Sequence, residues 1–420
     1  MKKSLFAVAA VTAFAGAAQA QSSVTVYGLL DVGYVGGNTR VSDSIKANTA
    51  GYNAGQSKNT ANQFGQSAES TSRLGFKGTE DLGNGTSAFF TAEFALAPQD
   101  QTLSGNQTST SNQAGLNNRQ AFVGVKKAGI GQVALGLQQT GVFNAVAVTD
   151  PGQMNNIVGN VIYAGNTSVT ATNAGSGSTG FTNRTANTLT LKSDNFAGFT
   201  ANALWTLNNK NSTETIISAT TVGGNTNASG WGLGADYSFK KFYINAQYQS
   251  FKQLTTANNA AANTQAWTNQ QGNGATTAPT GPSQAQDVQD NQFYAGATYD
   301  FGILKAYAQY LNRKATSTAS PNYYLKRQAE QIGVRSFITP TVEAWASAGL
   351  GRYTAMGEAS PTVNFNAWQL GSNYYLSKRT NLYAIYGQTL TSTGQYGSGT
   401  TATTISGGAS NYAVGVRHTF

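Results

Sequence analysis

The chain has 420 residues, with 26 Lys and Arg, 17 Asp and Glu, a formal charge of +9, one His and no Cys. The missing cysteines exclude disulfides, thiolate nucleophiles and Cys-ligated metal sites, and a single His excludes most His-based metal sites and catalytic triads. Only 10% of the residues are charged, against about 25% in ordinary soluble proteins. A mean hydropathy of −0.30 excludes a bundle of membrane helices but not a membrane barrel of strands.

Residues 1–20 read as a secretory signal peptide. Lys2 and Lys3 form its basic start, residues 5–15 its apolar stretch, and Ala18-Gln19-Ala20 its cleavage site. Cleavage after Ala20 leaves one domain, 21–420, and loss of the two lysines lowers the formal charge from +9 to +7.

No later stretch approaches 18 consecutive apolar residues, and period-two alternation dominates instead. Sixteen strands are expected, centred at 24–34, 72–81, 86–96, 119–127, 132–138, 184–193, 199–207, 230–239, 242–252, 292–299, 303–313, 324–337, 342–354, 364–375, 380–392 and 410–420. In 242–252, Phe242, Ile244, Ala246 and Tyr248 share one face and Tyr243, Asn245, Gln247 and Gln249 the other. The segments 199–207, 292–299 and 303–313 repeat the pattern.

Alternation alone leaves a sandwich, a soluble barrel and a membrane barrel open. Three features favour the membrane barrel. Aromatics cluster at strand ends, as in Phe89-Phe90, Tyr323-Tyr324 and Tyr374-Tyr375. The apolar faces are rich in Ala and Gly, thin for a globular core but adequate against lipid. Seven short turns alternate with eight longer connections, about 36–71, 97–118, 139–183, 208–229, 253–291 and 393–409 being very long. The fold class is therefore all-β: a sixteen-stranded antiparallel transmembrane barrel with both ends on the turn side, the periplasm.

Several segments carry a family resemblance. Residues 22–31 (SSVTVYGLLD), 72–83 (SRLGFKGTEDLG), 118–125 (NRQAFVGV) and 414–420 (VGVRHTF) resemble strands of Gram-negative general porins of the β-proteobacterial type. The resemblance implies a homotrimer in the outer membrane, surrounded by lipid and lipopolysaccharide, whose third loop folds into the barrel. It also implies that Phe420, ending a strand whose lipid face carries Tyr412, Val414, Val416 and His418, is a signal for the barrel-assembly machinery. His418 is expected in the aromatic girdle.

A pore discriminates by the charges at its narrowest section. Arg73 lies opposite Leu74 and Phe76 in strand parity and should face the lumen, with Lys77 beside it; Arg119 lies opposite Phe122. Arg184 opens the strand after the third loop. The resemblance matches Arg73, Arg119 and Arg184 to a stacked basic cluster on the barrel wall. The loop, 139–183, contains a single charged residue, Asp150, expected to face that cluster. Asp31 shares the parity of Tyr27 and is expected to soften the basic excess. Lys305, Arg335, Glu343 and Arg417 line the lumen by parity. The resemblance implies a channel for small hydrophilic solutes and ions, and these residues predict that it has a modest anion preference.

Other classes fare less well. The dispersed carboxylates and the outward His418 offer no catalytic machinery, so an enzyme is not expected, nor a cofactor or a metal. The Gly175–Gly180 stretch fits a dinucleotide-binding pattern but has no strand–helix context. Scattered Lys and Arg do not suit nucleic acid. A solute-specific channel, or an adhesin or receptor using the long loops, remains open.

Overall fold

The computed structural model describes residues 23–45, 55–99, 117–163, 180–217, 220–255, 288–317, 324–356, 362–396 and 403–420. The signal peptide, Tyr323, nearly all of the Gly175–Gly180 pattern and most of the 253–291 connection lie outside the described residues.

The strands are β1 (Ser23–Ile45), β2 (Gly55–Gln66), β3 (Arg73–Gly83), β4 (Thr86–Ala95), β5 (Asn117–Lys127), β6 (Gly131–Gln139), β7 (Arg184–Ser193), β8 (Phe199–Ile217) and β9 (Thr220–Phe239). They continue as β10 (Phe242–Thr255), β11 (Val288–Asp300), β12 (Lys305–Ser317), β13 (Tyr324–Phe337), β14 (Val342–Met356), β15 (Thr362–Tyr375), β16 (Thr380–Tyr396) and β17 (Thr403–Thr419). One helix, α1 (Gly141–Thr149), interrupts them. From β3 onward each strand pairs antiparallel with its sequence neighbour, β2 and β3 both pair with β1, and β17 closes the ring on β1 from Leu29↔Thr419 to Ile45↔Thr403. Phe420 extends this closure, exchanging two backbone hydrogen bonds with Gly28 (3.1 and 3.2 Å).

Seventeen segments make sixteen staves. β3 pairs with β1 over Ser23–Leu29 and β2 pairs with it over Val32–Asp43. The two are halves of one stave, interrupted where residues 67–72 turn inward. The result is a closed sixteen-stranded antiparallel barrel, as the alternation implies.

The faces are inverted relative to a soluble protein. On β13, Ile332 is 69% exposed and Gln331 2%; on β14 and β15, Leu350 is 63% exposed and Gln369 0%. Apolar side chains point outward and amides inward, as lipid outside and a polar interior require. Near the short turns the outward surface is aromatic: Phe199 packs on Tyr237 (4.3 Å between ring centroids) and Tyr299 on Phe301 (4.7 Å). In the β3–β4 turn Asn84 and Gly85 adopt φ of +51° and +70°, the left-handed pair that a tight hairpin demands.

Two expected long loops prove to be strand. β1 continues to Ile45 and β2 returns from Gly55, where a loop over 36–71 was expected. β8 and β9 run through the expected 208–229 loop, leaving 218–219 between them. β16 and β17 likewise shorten the 393–409 connection. Beyond the lipid band both strand faces meet water, so Thr, Ser, Asn and Gly serve on either side. The ladder continues while the alternation that signals it disappears.

Candidate functional site

The third connection, between β6 and β7, turns into the lumen. α1 begins at Thr140, whose hydroxyl accepts from the Phe143 N–H (3.2 Å) and donates to the Thr182 carbonyl (2.6 Å), pinning the two ends of the loop together. Val142, Ala145 and Val146 of α1 pack with Val161, Ile162, Tyr163 and Phe181 against inward Tyr294, Leu311, Ala329, Phe365 and Ala367. The lumen therefore contains an apolar seat for its own loop.

A buried loop must find partners for its backbone polar groups. Inward amides of the wall supply them. Gln292 Oε1 accepts from the Thr182 N–H (2.9 Å), and Asn245 Nδ2 donates to the Ala145 carbonyl (3.2 Å). Gln331 Oε1 accepts from the Val161 N–H (3.0 Å), and Gln369 Nε2 donates to the carbonyls of Ile157 (2.6 Å) and Val158 (2.9 Å). The ladder crosses β10, β11, β13 and β15, so the loop is fastened to one wall.

The opposite wall, β3–β7, carries the cations. Arg119 Nε lies 2.7 Å from Glu93 Oε1, and the Tyr27 hydroxyl donates to Glu93 Oε2 (3.1 Å). Arg73 donates from Nε to the Thr71 carbonyl (2.9 Å) and from Nη2 to Ser70 Oγ (2.7 Å). Lys77 reaches over the Tyr27 ring, 5.5 Å from its centroid. Gly75 makes room for that ring, since a Cβ there would lie 2.2 Å from Tyr27 Cζ. The Arg184 guanidinium lies over the Phe143 ring of α1 at 5.2 Å, and its buried Nε has no hydrogen-bond partner among the described residues. Arg73, Arg119 and Arg184 lie close enough for mutual repulsion, with Glu93 and the Tyr163 phenol of the loop beside them.

Asp150 is placed otherwise than expected. It is 2% exposed at the C-terminus of α1 and does not present its carboxylate to the pore. It accepts from the Met154 N–H (2.6 Å), Asn160 Nδ2 (2.7 Å) and Gln331 Nε2 (3.0 Å). Burial pushes its carboxyl above the usual range, opposed by these donors and by Arg335. Burial likewise pushes the Tyr163 phenol up, opposed by Arg184, Arg119 and Arg73.

Asp31 also differs from its expected role. It is fully buried, holding the inward turn through the N–H groups of Glu69 (2.8 Å) and Ser70 (2.7 Å) and the Tyr383 hydroxyl (2.6 Å).

The other lumenal positions are structural pairs. Arg335 meets Glu343 with two contacts of 2.5 and 2.6 Å and donates to the Pro151 carbonyl (2.7 Å). Arg417 lies 3.5 Å from Glu69, and Lys305 sits over the Tyr307 ring at 5.3 Å. His418 is on the outer surface, within 2.8 Å of Thr380 Oγ1. No group of three or more His, Cys, Asp or Glu among the described residues could hold a metal.

Glu93, Glu69 and the amide ladder went unforeseen. Glu93 was legible: it shares inward parity with Phe89 and Thr91, against Phe90, Ala92 and Phe94. Glu69 fell inside the supposed 36–71 loop.

Comparison with known proteins agrees with this architecture. An outer membrane porin protein of Bordetella pertussis is 39% identical over 142 residues, 33% of this chain and 34% of that protein. Outer membrane porin protein 32 of Delftia acidovorans is 42% identical over 105 residues, 25% of each. The alignments thus span about a third and a quarter of these relatives. Among solved structures, an anion-selective porin from Comamonas acidovorans shares the fold (TM-score 0.59, 21% identity, 95% of this chain and 100% of that one). So does a trimer form of OmpT from Vibrio cholerae (TM-score 0.54, 13% identity, 95% and 99%). The family pattern of Gram-negative porins matches residues 7–395. With that pattern over nearly its whole length and a closed barrel with an inward third loop, the chain belongs to the Gram-negative porin family, whose place is the outer membrane.

Proposed function

We propose that this barrel is a water-filled channel for passive diffusion of small hydrophilic solutes and ions, with modest anion preference. One observation carries the preference: Arg73, Lys77, Arg119 and Arg184 line one side of the passage with Glu93 as their only carboxylate among the described residues, while the loop's single acid is buried. A net positive constriction attracts anions and repels cations. The likeness to a porin described as anion-selective supports the reading.

The working unit of this reading is a homotrimer in a lipid and lipopolysaccharide bilayer, inserted by the barrel-assembly machinery through the strand that ends at Phe420. The trimeric OmpT form supports the trimer.

Single-channel conductance in matched salts tests the preference. Replacing chloride by bulky acetate should lower conductance more than replacing potassium by lithium; the reverse order overturns it. A liposome-swelling series tests the general channel. Rates should fall smoothly with solute size, whereas saturation by one solute establishes a solute-specific channel instead.

A further inference from the structure

The inward turn 67–72 touches both sides of the constriction. On one side it holds Arg73, through the Thr71 carbonyl (2.9 Å) and Ser70 Oγ (2.7 Å). On the other it holds the third loop. Asn156 donates from its backbone N–H to the Ala68 carbonyl (2.9 Å) and from Nδ2 to the Ser67 carbonyl (2.7 Å) and Thr71 Oγ1 (3.3 Å). Thr71 thus meets the loop with its hydroxyl and Arg73 with its carbonyl.

The turn is itself firmly built. Besides its bonds to Glu69, Ser70 and Tyr383, Asp31 accepts from the Ser67 N–H with its backbone carbonyl (2.8 Å). Ser67 takes a left-handed φ of +60°, and its hydroxyl accepts from the Ser72 N–H (2.9 Å). Asn381 Nδ2 (3.0 Å) and Arg417 (3.5 Å) secure Glu69. A non-glycine residue at positive φ costs free energy, so the surrounding bonds must impose this shape.

We infer that the 67–72 turn is a positioning element for the pore: Asp31 fixes it, and it sets the Arg73 guanidinium and the tip of the third loop against each other. This goes beyond, and rests on, the reading of the barrel as an anion-preferring channel. The turn matters for selectivity because Glu93 pairs with Arg119 (2.7 Å), which leaves Arg73 held by the Thr71 carbonyl and Ser70 Oγ rather than by a carboxylate. Held by Ser70 and Thr71, Arg73 remains a separate cation beside the Arg119–Glu93 pair. Released, it loses its fixed place beside the passage, and the positive potential it holds where solutes pass is spread and weakened.

The test is the permeability ratio of anion to cation for reconstituted trimers carrying Ser70→Ala, Asn156→Ala, Arg73→Ala and the pairwise combinations. Asp31→Asn is left out of the core set because it unpicks a buried network. Ser70→Ala and Asn156→Ala remove no charge, so a purely structural role changes conductance or thermal stability and leaves the ratio alone. Each is expected to lower the ratio about twofold, the effect of about half a kcal/mol. In the Arg73→Ala background neither should lower it further, since the group they act through is gone.

Ratios equal to wild type in both single variants overturn the inference. Equal shifts with and without Arg73 also overturn it, because the effect then bypasses that residue. A wild-type channel without anion preference refutes the channel reading instead, so the two failures are distinguishable.

Discussion

The wall of β3–β7 and the wall of β10–β15 face the same lumen, yet their inward side chains differ in kind. The first carries Arg73, Lys77 and Arg184, none of them in an ion pair among the described residues, beside the buried Arg119–Glu93 pair. The second carries amides, Tyr294, Leu311, Phe365 and closed ion pairs such as Arg335–Glu343. The difference follows from what each wall touches. The loop-bearing wall meets protein, so it must satisfy backbone groups and bury apolar surface. The bare wall meets water and passing ions, so it can keep uncompensated charge. Selectivity should therefore reside in the bare wall, and stability of the constriction in the loop-bearing one.

The largest break in this comparison is replacement of Arg73, Arg119 and Arg184 by Ala together. With Glu93 and Lys77 left, the named charges cancel, and the permeability ratio measured in bilayers should lose its anion preference. Arg335→Met should do the reverse of this division, leaving the ratio near wild type while destabilising the barrel. It strands Glu343, and loss of one member of a buried pair costs about 3–5 kcal/mol, read as a lower thermal midpoint of the reconstituted channel. Gln369→Leu orphans the Ile157 and Val158 carbonyls at about 1–3 kcal/mol each. Its expected mark is a noisier, larger single-channel current, with the third loop loosened from its wall. Glu93→Gln is the smallest change. Removing one charge about 8 Å from a passing ion in water is worth about 0.5 kcal/mol before screening and about 0.2 kcal/mol at a Debye length of about 8 Å, and because it acts on anion and cation with opposite sign the anion ratio should rise about twofold.

The legibility of these walls in the sequence was uneven. The barrel could be read because lipid imposes a strict rule: Phe242, Ile244 and Tyr248 must face out where Asn245, Gln247 and Gln249 face in. The inward parity of Arg73, Arg335 and Glu343 follows from the same rule, whereas that of Arg119 does not: Phe122 faces inward and Val123 and Val125 outward, and a register slip opposite Glu93 and Phe94 turns Arg119 into the lumen. Strand length was not legible where both faces meet water, which hid the ends of β1, β8 and β9 and the whole of β2. The role of Asp150 was not legible either. A lone loop carboxylate can face a pore or hold the loop's own fold, and only three dimensions bring Met154, Asn160 and Gln331 around it. The amide ladder shows the same limit: Gln at inward positions marks a polar lumen, not that its partners are a loop's own carbonyls.

The central claim is that the bare wall leaves the passage net positive. The most direct measurement is the reversal potential of the wild-type reconstituted channel across a KCl gradient at neutral pH. A potential of the sign set by chloride is the predicted result, and its size should fall as salt screens the arginines. A potential of the sign set by potassium contradicts the account.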